Sequence, residues 1–529
     1  MNNNVYILDS TLRDGAQAEG ISFSVEDKLN IVTLLDGLGI SFIEAGNPGS
    51  NPKDLAFFEA AGKLPLKHAK LVAFGSTRRK NTSAADDTNV RALLSAGTKH
   101  IALFGKSWDL HVEQVIHTAL DENLRMIEDT IRYLTEQGKT VFFDAEHFFD
   151  GYKQNPDYAL ATLEAAVRGG ADTLVLCDTN GGCFPHEVDS ITRTVAAAFP
   201  AHPLGIHAHN DGGMAAANSV VSVQTGARQV QGTFLGFGER TGNANLSTII
   251  PGLQLKLGFD CIPPENMPTL TTTARAIAEV CNVNLRKNEP YVGTSAFAHK
   301  AGMHADGVLK TSVSFEHITP EQVGNERRFL MSEMAGRTAI LQKINKVLPH
   351  LNKDSPETLK VMDALKELEH QGYQFEGAES SFELLVQKLT GRYQPFFELM
   401  NYKIVSAQPC EAGCSSSATV KIRVGDRVQL MAAEGNGPVN ALDIAIRQAL
   451  EVFYPALATV HLTDYKVRVM DSNATAATVR VLISSTDGQR VWTTVGVSSD
   501  IIEASWIALR DSIEYKLSKD EERQYSRLT

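Results

Sequence analysis

Two histidines stand two residues apart in the segment HAHND, as His207 and His209. Side chains of an extended segment alternate between two faces, so both imidazoles point to the same side. Neutral imidazole is a common metal ligand, and the pair forms half of a possible metal site. An isolated H-x-H pair is weak support for a metal, because two structural histidines on one face of a strand produce the same pattern.

Oxygen ligands at other predicted strand ends complete the candidate site. Asp14 follows the first apolar run, in DSTLRDGAQ, and Asn243 follows the last one, in GFGERTGNAN. A carboxylate, an amide oxygen and two imidazoles form a mixed ligand set with room for water, which suits Mg, Mn, Zn or Co. The sequence therefore predicts a divalent metal site built from Asp14, His207, His209 and Asn243.

Eight short apolar runs position these residues, and polar or glycine residues end each run. The predicted strands cover residues 5–8, 42–45, 71–74, 100–103, 141–143, 173–176, 204–207 and 229–234. The segments between them, such as SVEDKLNIVTLLDGLG, have apolar residues at helical spacing and close on glycine. Eight such units predict an α/β TIM barrel. A doubly wound open sheet is the alternative, but the G-x-G-x-x-G after its first strand is missing.

Reactive residue types collect at the carboxyl ends of the predicted strands, where TIM barrels perform their chemistry. The first, fifth and sixth strands end in DSTLRDG, DAEHFFDG and CDTNGG. The side chains that these segments add to the histidine pair are Arg13, Asp14, Asp144, Glu146, His147, Asp178, Thr179 and Asn180. We therefore expect the active site at this end of the barrel.

The chain continues well beyond the barrel, which we place at residues 1–265. Residues 266–395 are mostly of helical pattern and predict helical linker subdomains. Residues 396–529 predict a C-terminal α+β domain with an internal β-β-α repeat, because SATVKIRVGDRVQL and its following helix parallel AATVRVLISSTDGQRV and its helix. In the two helices, Ala441, Ile444, Ala445, Arg447 and Leu450 match Ala504, Ile507, Ala508, Arg510 and Ile513. Such a pseudo-symmetric domain could pair with itself or bind a ligand between its halves.

Composition disfavours several classes of function. The 529 residues are 43% hydrophobic and 21% charged, as in ordinary globular proteins, and the net charge of -12 argues against general binding to nucleic acid or anionic membranes. The N-terminus lacks a signal peptide and no apolar run is long enough to span a membrane, so we predict a cytoplasmic protein. Six scattered cysteines, including Cys410 and Cys414, predict reduced thiols.

Several of these motifs occur together in one known family. DSTLRDGAQ, IEAGNP, the H-x-H-N-D segment and GFGERTGNAN stand in the order and approximate spacing of the isopropylmalate/homocitrate synthase family. These enzymes are metal-dependent TIM barrels that perform Claisen condensations. The resemblance extends through AFAHKAGMHADG and VGNERRF to the C-terminal repeat, so it covers nearly the whole chain. Related lyases end soon after their barrel, and the long tail therefore favours a synthase.

Two departures from the isopropylmalate pattern indicate the substrate. The first motif reads RDGAQ, with Ala16 where those enzymes have glutamate, and the fifth strand reads DAEHFFDG instead of a Ser-Pro-Glu-Asp type. Both features resemble the citramalate-forming branch. This resemblance implies condensation of acetyl-CoA with pyruvate, thioester hydrolysis, and a route to isoleucine through 2-oxobutyrate. The alternatives are an isopropylmalate or homocitrate synthase with a larger 2-oxo acid, a metal-dependent carbon-carbon lyase or aldolase, and a non-catalytic amino-acid-binding regulator.

The resemblance also implies roles for the motif residues. Asp14, His207 and His209 would be metal ligands, with Asn243 in or near the shell. Arg13 would bind substrate and neutralise the oxyanion, a task for which a planar, always-charged group is suited. Its alternative is a salt bridge at the barrel rim, to Glu44 or Asp14.

The remaining roles concern the substrates and the proton. Thr179 would hold the carboxylate of the 2-oxo acid, while Asp144 and Asp306 would face the substrate. Glu146 and His304 are the candidates for proton transfer, and the residues leave open which one is the base. The basic candidates for the phosphates of acetyl-CoA are Lys300, Arg327 and Arg328.

The C-terminal repeat resembles the regulatory domain of the same family. That resemblance implies a homodimer in which an end-product amino acid binds at the subunit interface. For the citramalate-forming branch the product would be isoleucine, acting as a feedback inhibitor. A domain that only holds the dimer together is the alternative.

Overall fold

The computed structural model describes residues 3–50, 52–300, 302–329, 341, 344–345, 347–348, 351–352, 355–375, 377–407, 415–470 and 477–528. Cys410 and Cys414 lie outside these residues. Two compact units are present: Met1–Phe297 with Glu316–Arg327, and Ala298–Phe315 with Arg328–Thr529. The three-domain division with boundaries near residues 265 and 395 stays a prediction.

The first unit contains a closed barrel of eight parallel strands in chain order, in which the last strand pairs with the first. The strands are β1 (Tyr6–Asp9), β2 (Phe42–Glu44), β3 (Lys70–Ser76), β4 (His100–Lys106), β5 (Thr140–Glu146), β6 (Thr173–Asp178), β7 (Leu204–Ala208) and β8 (Gln229–Gly232). All eight predicted strands are present, and the TIM barrel is confirmed. Several strands extend beyond the predicted carboxyl end, so Asp144 and Glu146 lie within β5 itself.

Helices alternate with these strands. They are α1 (Val25–Leu38), α2 (Pro52–Ala61), α3 (Thr88–Ser95), α4 (Asp109–Gln114), α5 (Leu120–Glu136), α6 (Phe148–Gln154), α7 (Pro156–Gly169), α8 (Pro185–Ala198), α9 (Ala215–Gln224), α10 (Leu246–Pro251) and α11 (Leu270–Val280). Short 3₁₀ or π turns cover Gly15–Gln17, Phe234–Gly236, Gly252–Lys256, Pro264–Thr269 and Pro320–Val323. A capping box of Ser24 and Asp27 begins α1, and Gly39 ends it at φ 97°. The glycine stop predicted from the sequence is confirmed there.

Apolar side chains pack in two layers around the barrel sheet. One cluster unites residues from alternate barrel positions, namely Leu8, Phe42, Val72, Ala102, Phe142, Val175 and Cys177. Their chain neighbours, such as Ile7 and Ile43, belong to the larger cluster that includes the surrounding helices. This alternation follows from the two-residue period of a strand. The barrel is therefore filled with side chains, and a substrate must bind at its mouth.

The second unit begins with short elements and then two longer helices. They are β9 (Ala298–His299), α12 (Gly302–Lys310), a 3₁₀ turn at Ser312–Ser314, β10 (Arg328–Phe329), α13 (Pro356–His370) and α14 (Glu379–Leu389). Strands β9 and β10 pair in parallel. The mostly helical pattern predicted for residues 266–395 is confirmed by α11 to α14.

Two similar β-β-β-α units follow. The first has β11 (Glu398–Ser406), β12 (Ser416–Val424), β13 (Arg427–Gly435) and α15 (Pro438–Glu451), and a 3₁₀ turn at Pro455–Thr459 leads to the second, with β14 (His461–Val469), β15 (Val479–Thr486), β16 (Val491–Ser498) and α16 (Ile501–Leu528). Each unit forms an antiparallel three-stranded sheet. The predicted repeat is confirmed, and the structure adds one strand in front of each β-β-α unit.

A constant offset of 63 residues relates the two units. It links the starts of β11 and β14, at Glu398 and His461, and also the register irregularities after Leu399 and Leu462. The helix match of Ala441 with Ala504 has the same offset. The strand match made from sequence, SATVKIRV with AATVRVLI, is wrong by four residues.

Two expectations from composition concern the environment of the chain. Four cysteines, Cys177, Cys183, Cys261 and Cys281, are buried free thiols. Within the described ranges, no helix combines the length and apolarity needed to cross a membrane. The cytoplasmic location stays a prediction.

Candidate active site

Three buried ligand atoms converge where β1 and β7 end. His207 lies in β7, His209 follows it, and Asp14 lies in the loop after β1. The Nε2 atoms of the two histidines are 3.4 Å apart, and Asp14 Oδ2 lies 3.6 Å from His207 Nε2 and 3.9 Å from His209 Nε2. All three side chains are buried. The structure thus brings together the three metal ligands predicted from sequence.

The protonation of this cluster suits a cation. Burial lowers the pKa of His207, and it lowers the pKa of His209 to about 4, which keeps both imidazoles neutral at pH 7. Burial alone would raise the pKa of Asp14, but the Arg13 cation and the hydrogen bond from Asn243 lower it overall. A point equidistant from the three ligand atoms lies about 2.1 Å from each, which is the length of a metal-nitrogen or metal-oxygen bond. The three residues therefore fit a divalent metal ion.

Asn243 lies beside the cluster with one free acceptor. Its Nδ2 donates to Asp14 Oδ1 at 2.8 Å and to the Phe237 carbonyl at 3.1 Å, while its buried Oδ1 has no hydrogen-bond partner among the described residues. Gly238, at φ 153°, passes so close that a Cβ there would lie 2.2 Å from Asn243 Nδ2. An unpaired buried acceptor is costly, so a fourth ligand position at Oδ1 is physically reasonable.

Arg13 is held next to the ligand cluster by two carboxylates and one aromatic ring. Nε donates to Glu44 Oε2 at 2.7 Å and Nη1 donates to Asp14 Oδ2 at 2.8 Å. Its guanidinium carbon lies 3.7 Å from the centre of the Phe74 ring, a cation-π contact. Burial would lower the pKa of Arg13, but Glu44 and Asp14 raise it overall, so the charge is permanent. The rim salt bridges considered as an alternative are both present, and they place the cation at the ligand cluster.

Asp144 is a second buried carboxylate at the mouth of the barrel. Burial, followed by the charge of Glu44, raises the pKa of Asp144 to about 7. Its Oδ1 accepts a hydrogen bond from Gln231 Nε2 at 2.9 Å. The Oε1 atom of Gln231 lies 3.0 Å from His207 Nδ1. Asp144 is therefore connected to a predicted metal ligand through one amide.

Glu146 and Thr179 occupy neighbouring strand ends and have defined partners. Glu146 Oε2 accepts a hydrogen bond from Lys106, the last residue of β4. Thr179 Oγ1 accepts from the backbone N–H of His147 at 2.8 Å, and His147 has a left-handed backbone at φ 57°. The Thr179 hydroxyl keeps its own proton for donation to an anion.

His304 and Asp306 belong to the second unit, on α12. His304 is exposed, and its ring stacks on Phe315 with centroids 4.2 Å apart. Asp306 accepts a hydrogen bond from Lys310 at 2.6 Å. Their predicted roles in proton transfer and substrate binding stay predictions.

Comparison with protein-family models divides the chain into three matches. An HMGL-like model matches residues 4–275, a homocitrate synthase post-HMGL domain-like model matches residues 291–373, and a LeuA allosteric (dimerisation) domain model matches residues 376–517. The first match coincides with the barrel. The last covers both β-β-β-α units.

Full-length relatives decide the family. The (R)-citramalate synthase of Aquifex aeolicus is 54% identical over 99% of this chain and 99% of its own length. The (R)-citramalate synthase of Synechocystis sp. is 51% identical over 97% of this chain and 96% of its own. The chain belongs to the (R)-citramalate synthase family. The 2-isopropylmalate synthase of Shewanella frigidimarina is only 30% identical, over 96% of this chain and 94% of its own. A condensing acyltransferase of the citramalate synthase type is thereby identified.

Sequence reasoning missed Gln231 in this citramalate synthase barrel, and it named Glu44 only as a rim partner of Arg13. Glu44 is fully buried and bonds to Arg13 and to the Ser10 hydroxyl. Gln231 is equally buried and bonds to His207 and Asp144. The available signal was a polar residue in a short strand that must be buried on both faces, as in IEAG for Glu44 and RQVQG for Gln231.

One of the basic residues predicted to bind the phosphates of acetyl-CoA already forms a salt bridge within the protein. Arg327 forms two hydrogen bonds with the buried Glu316, from Nε at 2.7 Å and from Nη2 at 2.6 Å. A bidentate pair of this kind holds its guanidinium strongly. The geometry favours a scaffolding role for Arg327 within the first unit.

Proposed function

We propose that this citramalate synthase family member condenses acetyl-CoA with pyruvate at the mouth of its barrel and hydrolyses the thioester to give (R)-citramalate and CoA. The observation that carries the proposal is the buried ligand cluster of Asp14, His207 and His209 in direct contact with the Arg13 cation. A site for carbonyl activation and a fixed positive charge are what the condensation of a 2-oxo acid needs.

The metal site is proposed for a divalent ion such as Mg, Mn or Zn. Asp14, His207 and His209 would hold the ion, with Asn243 Oδ1 as the further oxygen. A bound divalent ion supplies a Lewis acid that polarises the ketone oxygen of the oxo acid. Three protein ligands from a buried face leave further positions for the two oxygens of the substrate.

Arg13 is proposed to stabilise the oxyanion and to bind substrate. Its charge is fixed by Glu44 and Asp14, and its contact with Phe74 restricts the plane of the guanidinium. Groups oriented before reaction stabilise developing charge without reorganisation. Negative charge appears first on the enolate oxygen of acetyl-CoA and then on the former ketone oxygen.

We propose that a proton of the acetyl methyl group is removed by one of two candidate bases, Glu146 or His304. Glu146 supports this role because it is the last residue of β5, at the same end of the barrel as Asp14 and His207. The enolate carbon then attacks the ketone carbon of pyruvate, the resulting alkoxide takes up a proton, and water cleaves the carbon-sulfur bond. CoA leaves as a thiol, and hydrolysis makes the sum irreversible.

The oxo-acid pocket is proposed to include Thr179 and Asp144, and Asp306 is a further substrate-binding candidate from the family resemblance. The Thr179 hydroxyl can donate to the carboxylate of pyruvate. The raised pKa of Asp144 gives this carboxyl a neutral form near pH 7, which would tolerate an anionic substrate nearby.

A cleft beside the barrel mouth supports acetyl-CoA as the co-substrate. Its volume is about 590 Å³, and it is lined by apolar Phe104, Ile116 and Met126 and by basic Arg79 and Lys80. Lys106 also lines it and connects it to Glu146. An apolar arm with phosphates at its far end matches this combination of surfaces.

The C-terminal repeat is proposed to hold a homodimer and to bind isoleucine as a feedback inhibitor. The match to the LeuA allosteric (dimerisation) domain model supports this role. Gly437, in the glycine-containing turn directly before α15, is the residue of the repeat that we propose to change as a test of inhibitor binding.

The direct test measures acetyl-CoA-dependent thiol release over pyruvate, 2-oxobutyrate, 3-methyl-2-oxobutanoate and 2-oxoglutarate. Pyruvate should give a kcat/KM roughly 10-fold or more above that of 2-oxobutyrate, the discrimination expected for one methylene group. Preference for 3-methyl-2-oxobutanoate would instead identify an isopropylmalate synthase.

A further inference from the structure

A single buried glutamine connects His207 of β7 to the carboxyl group of Asp144 in β5. Gln231 lies in β8 and is fully buried. Its Oε1 lies 3.0 Å from His207 Nδ1, and its Nε2 donates to Asp144 Oδ1 at 2.9 Å. Nε2 is also 3.3 Å from Gln229 Oε1. Both ends of the amide therefore have partners.

These partners determine which way the amide is turned. Gln229 Oε1 accepts hydrogen bonds, and Asp144 Oδ1 accepts as a carboxylate oxygen or as the carbonyl oxygen of the neutral acid, so the NH₂ group of Gln231 faces them. A turned-over amide would place its oxygen against both of these oxygens. Oε1 is consequently the atom that faces His207.

The orientation of the amide determines the tautomer of His207. An amide oxygen only accepts, so Nδ1 of His207 must carry the hydrogen, and the lone pair of the neutral ring then resides on Nε2. Nε2 is the atom that faces Asp14 and His209. His209 differs, because its buried Nδ1 has no hydrogen-bond partner among the described residues.

We infer that Gln231 is a positioning residue of the metal site, which holds His207 in the Nδ1–H tautomer and so directs the Nε2 lone pair at the ion. The inference rests on the proposed metal site of Asp14, His207 and His209. Partners of this kind orient imidazole ligands, and their loss typically weakens metal binding by about 10- to 100-fold.

The test measures Mn²⁺ affinity of the intact chain without substrates, from the electron paramagnetic resonance signal of free Mn²⁺. Gln231→Leu should raise the dissociation constant by about 10- to 100-fold. The matched control is Gln254→Leu, because Gln254 is also a hydrogen-bonded glutamine of the barrel unit. It is half-buried and bonds to Cys261 and Ile262, away from the site. This control should bind Mn²⁺ as the unchanged protein does.

A double variant separates orientation from general damage. In Gln231→Glu with Asp144→Asn, a carboxylate faces His207 and the new amide of residue 144 donates to it. The atom that faces His207 is then still a hydrogen-bond acceptor. The Mn²⁺ affinity should return to within about 3-fold of that of the unchanged protein, a smaller loss than the 10-fold or more expected without the partner. A mere packing role for Gln231 predicts no such rescue.

Each result has one interpretation. Equal Mn²⁺ affinity of Gln231→Leu and the unchanged protein would overturn the inference, and so would a double variant as weak as Gln231→Leu. If the unchanged protein itself binds no Mn²⁺, the metal site of the proposed function fails instead.

Discussion

The barrel mouth and the C-terminal repeat are constructed in opposite ways. At the mouth, unlike residues from different strands converge: Asp14 follows β1, Glu146 ends β5 and His207 is the second-last residue of β7. In the repeat, like residues recur at a constant offset of 63, as in the pair Ala441 and Ala504. Convergence of unlike groups produces a reactive site, whereas duplication produces two similar faces suited to symmetry and to a shared ligand. Changes at the mouth should therefore affect turnover, and changes in the repeat should affect regulation or stability.

The largest effect is expected at the metal ligands. His207→Ala removes one of the three proposed metal ligands, so turnover should fall to background and added Mn²⁺ should not restore it. Chelator should abolish the activity of the unchanged protein, and Mg²⁺ or Mn²⁺ should recover it. His202→Ala, a half-buried histidine in the loop before β7, is the control. Full activity of metal-free His207→Ala would remove the metal assignment.

Arg13→Lys should lower kcat by about 10²-fold or more, because lysine keeps the charge but cannot bind Glu44, Asp14 and an oxyanion through one rigid fork. The measurement is steady-state thiol release with thermal unfolding as the check on folding. A rate near that of the unchanged protein would make Arg13 a structural residue of the rim.

Inhibition by isoleucine should depend on the C-terminal repeat. With a coupling free energy of about 1–3 kcal/mol, isoleucine should weaken the apparent affinity for substrate by roughly 5- to 150-fold. Gly437→Asp should reduce this inhibition and leave the dimer intact, because the equivalent position in the second unit already carries Asp500 before α16. Asp500→Gly is the matched control and should keep the inhibition. If isoleucine and other branched-chain amino acids shift neither activity nor thermal stability, the C-terminal repeat serves only to hold the dimer together.

The smallest effect concerns stability of the repeat as a function of pH. Burial raises the pKa of Glu514 to about 7, against opposing hydrogen bonds from the Phe396 N–H and from Tyr393 and against the charges of Lys388 and Arg510. The folded state then holds a proton that the unfolded chain releases above about pH 4.5, so this contribution to stability is lost as pH rises through 7. The loss should be roughly 1–3 kcal/mol.

Urea unfolding measured at pH 5 and pH 8 checks this expectation, with Trp492 and Trp506 as fluorescent reporters in a Trp108→Phe background. Glu514→Gln should be less sensitive to pH than the unchanged protein. Glu451→Gln is the control, because Glu451 is the equivalent residue in α15 and is only half buried. Identical pH dependence of all three proteins would show that Glu514 is ionised in the folded state.

Much of the barrel and the convergence of Asp14, His207 and His209 could be predicted from sequence, because strand periodicity and strand ends fix where side chains point. Arg13, Asp14, His207 and His209 all lie at such ends. Gln231 could not be recognised, since its importance comes from a contact with Asp144 on a strand that is not its neighbour in the barrel.

The repeat shows a different reason for error. The sequence match of its strands was wrong by four residues, an even number, so the inside and outside positions still alternated correctly. Only pairing partners, such as Tyr402 with Val420 and Tyr465 with Ile483, determine the register.

Carbon-carbon bond formation is the central claim for the barrel mouth. The intact chain should be incubated with Mn²⁺, pyruvate and acetyl-CoA labelled with ¹³C in its methyl group, and the products followed by NMR. The label should appear in the methylene carbon of citramalate, and neither metal-stripped protein nor His207→Ala should produce it. Labelled acetate as the sole product, or citramalate formed equally well in the presence of chelator, would contradict metal-dependent condensation at this site.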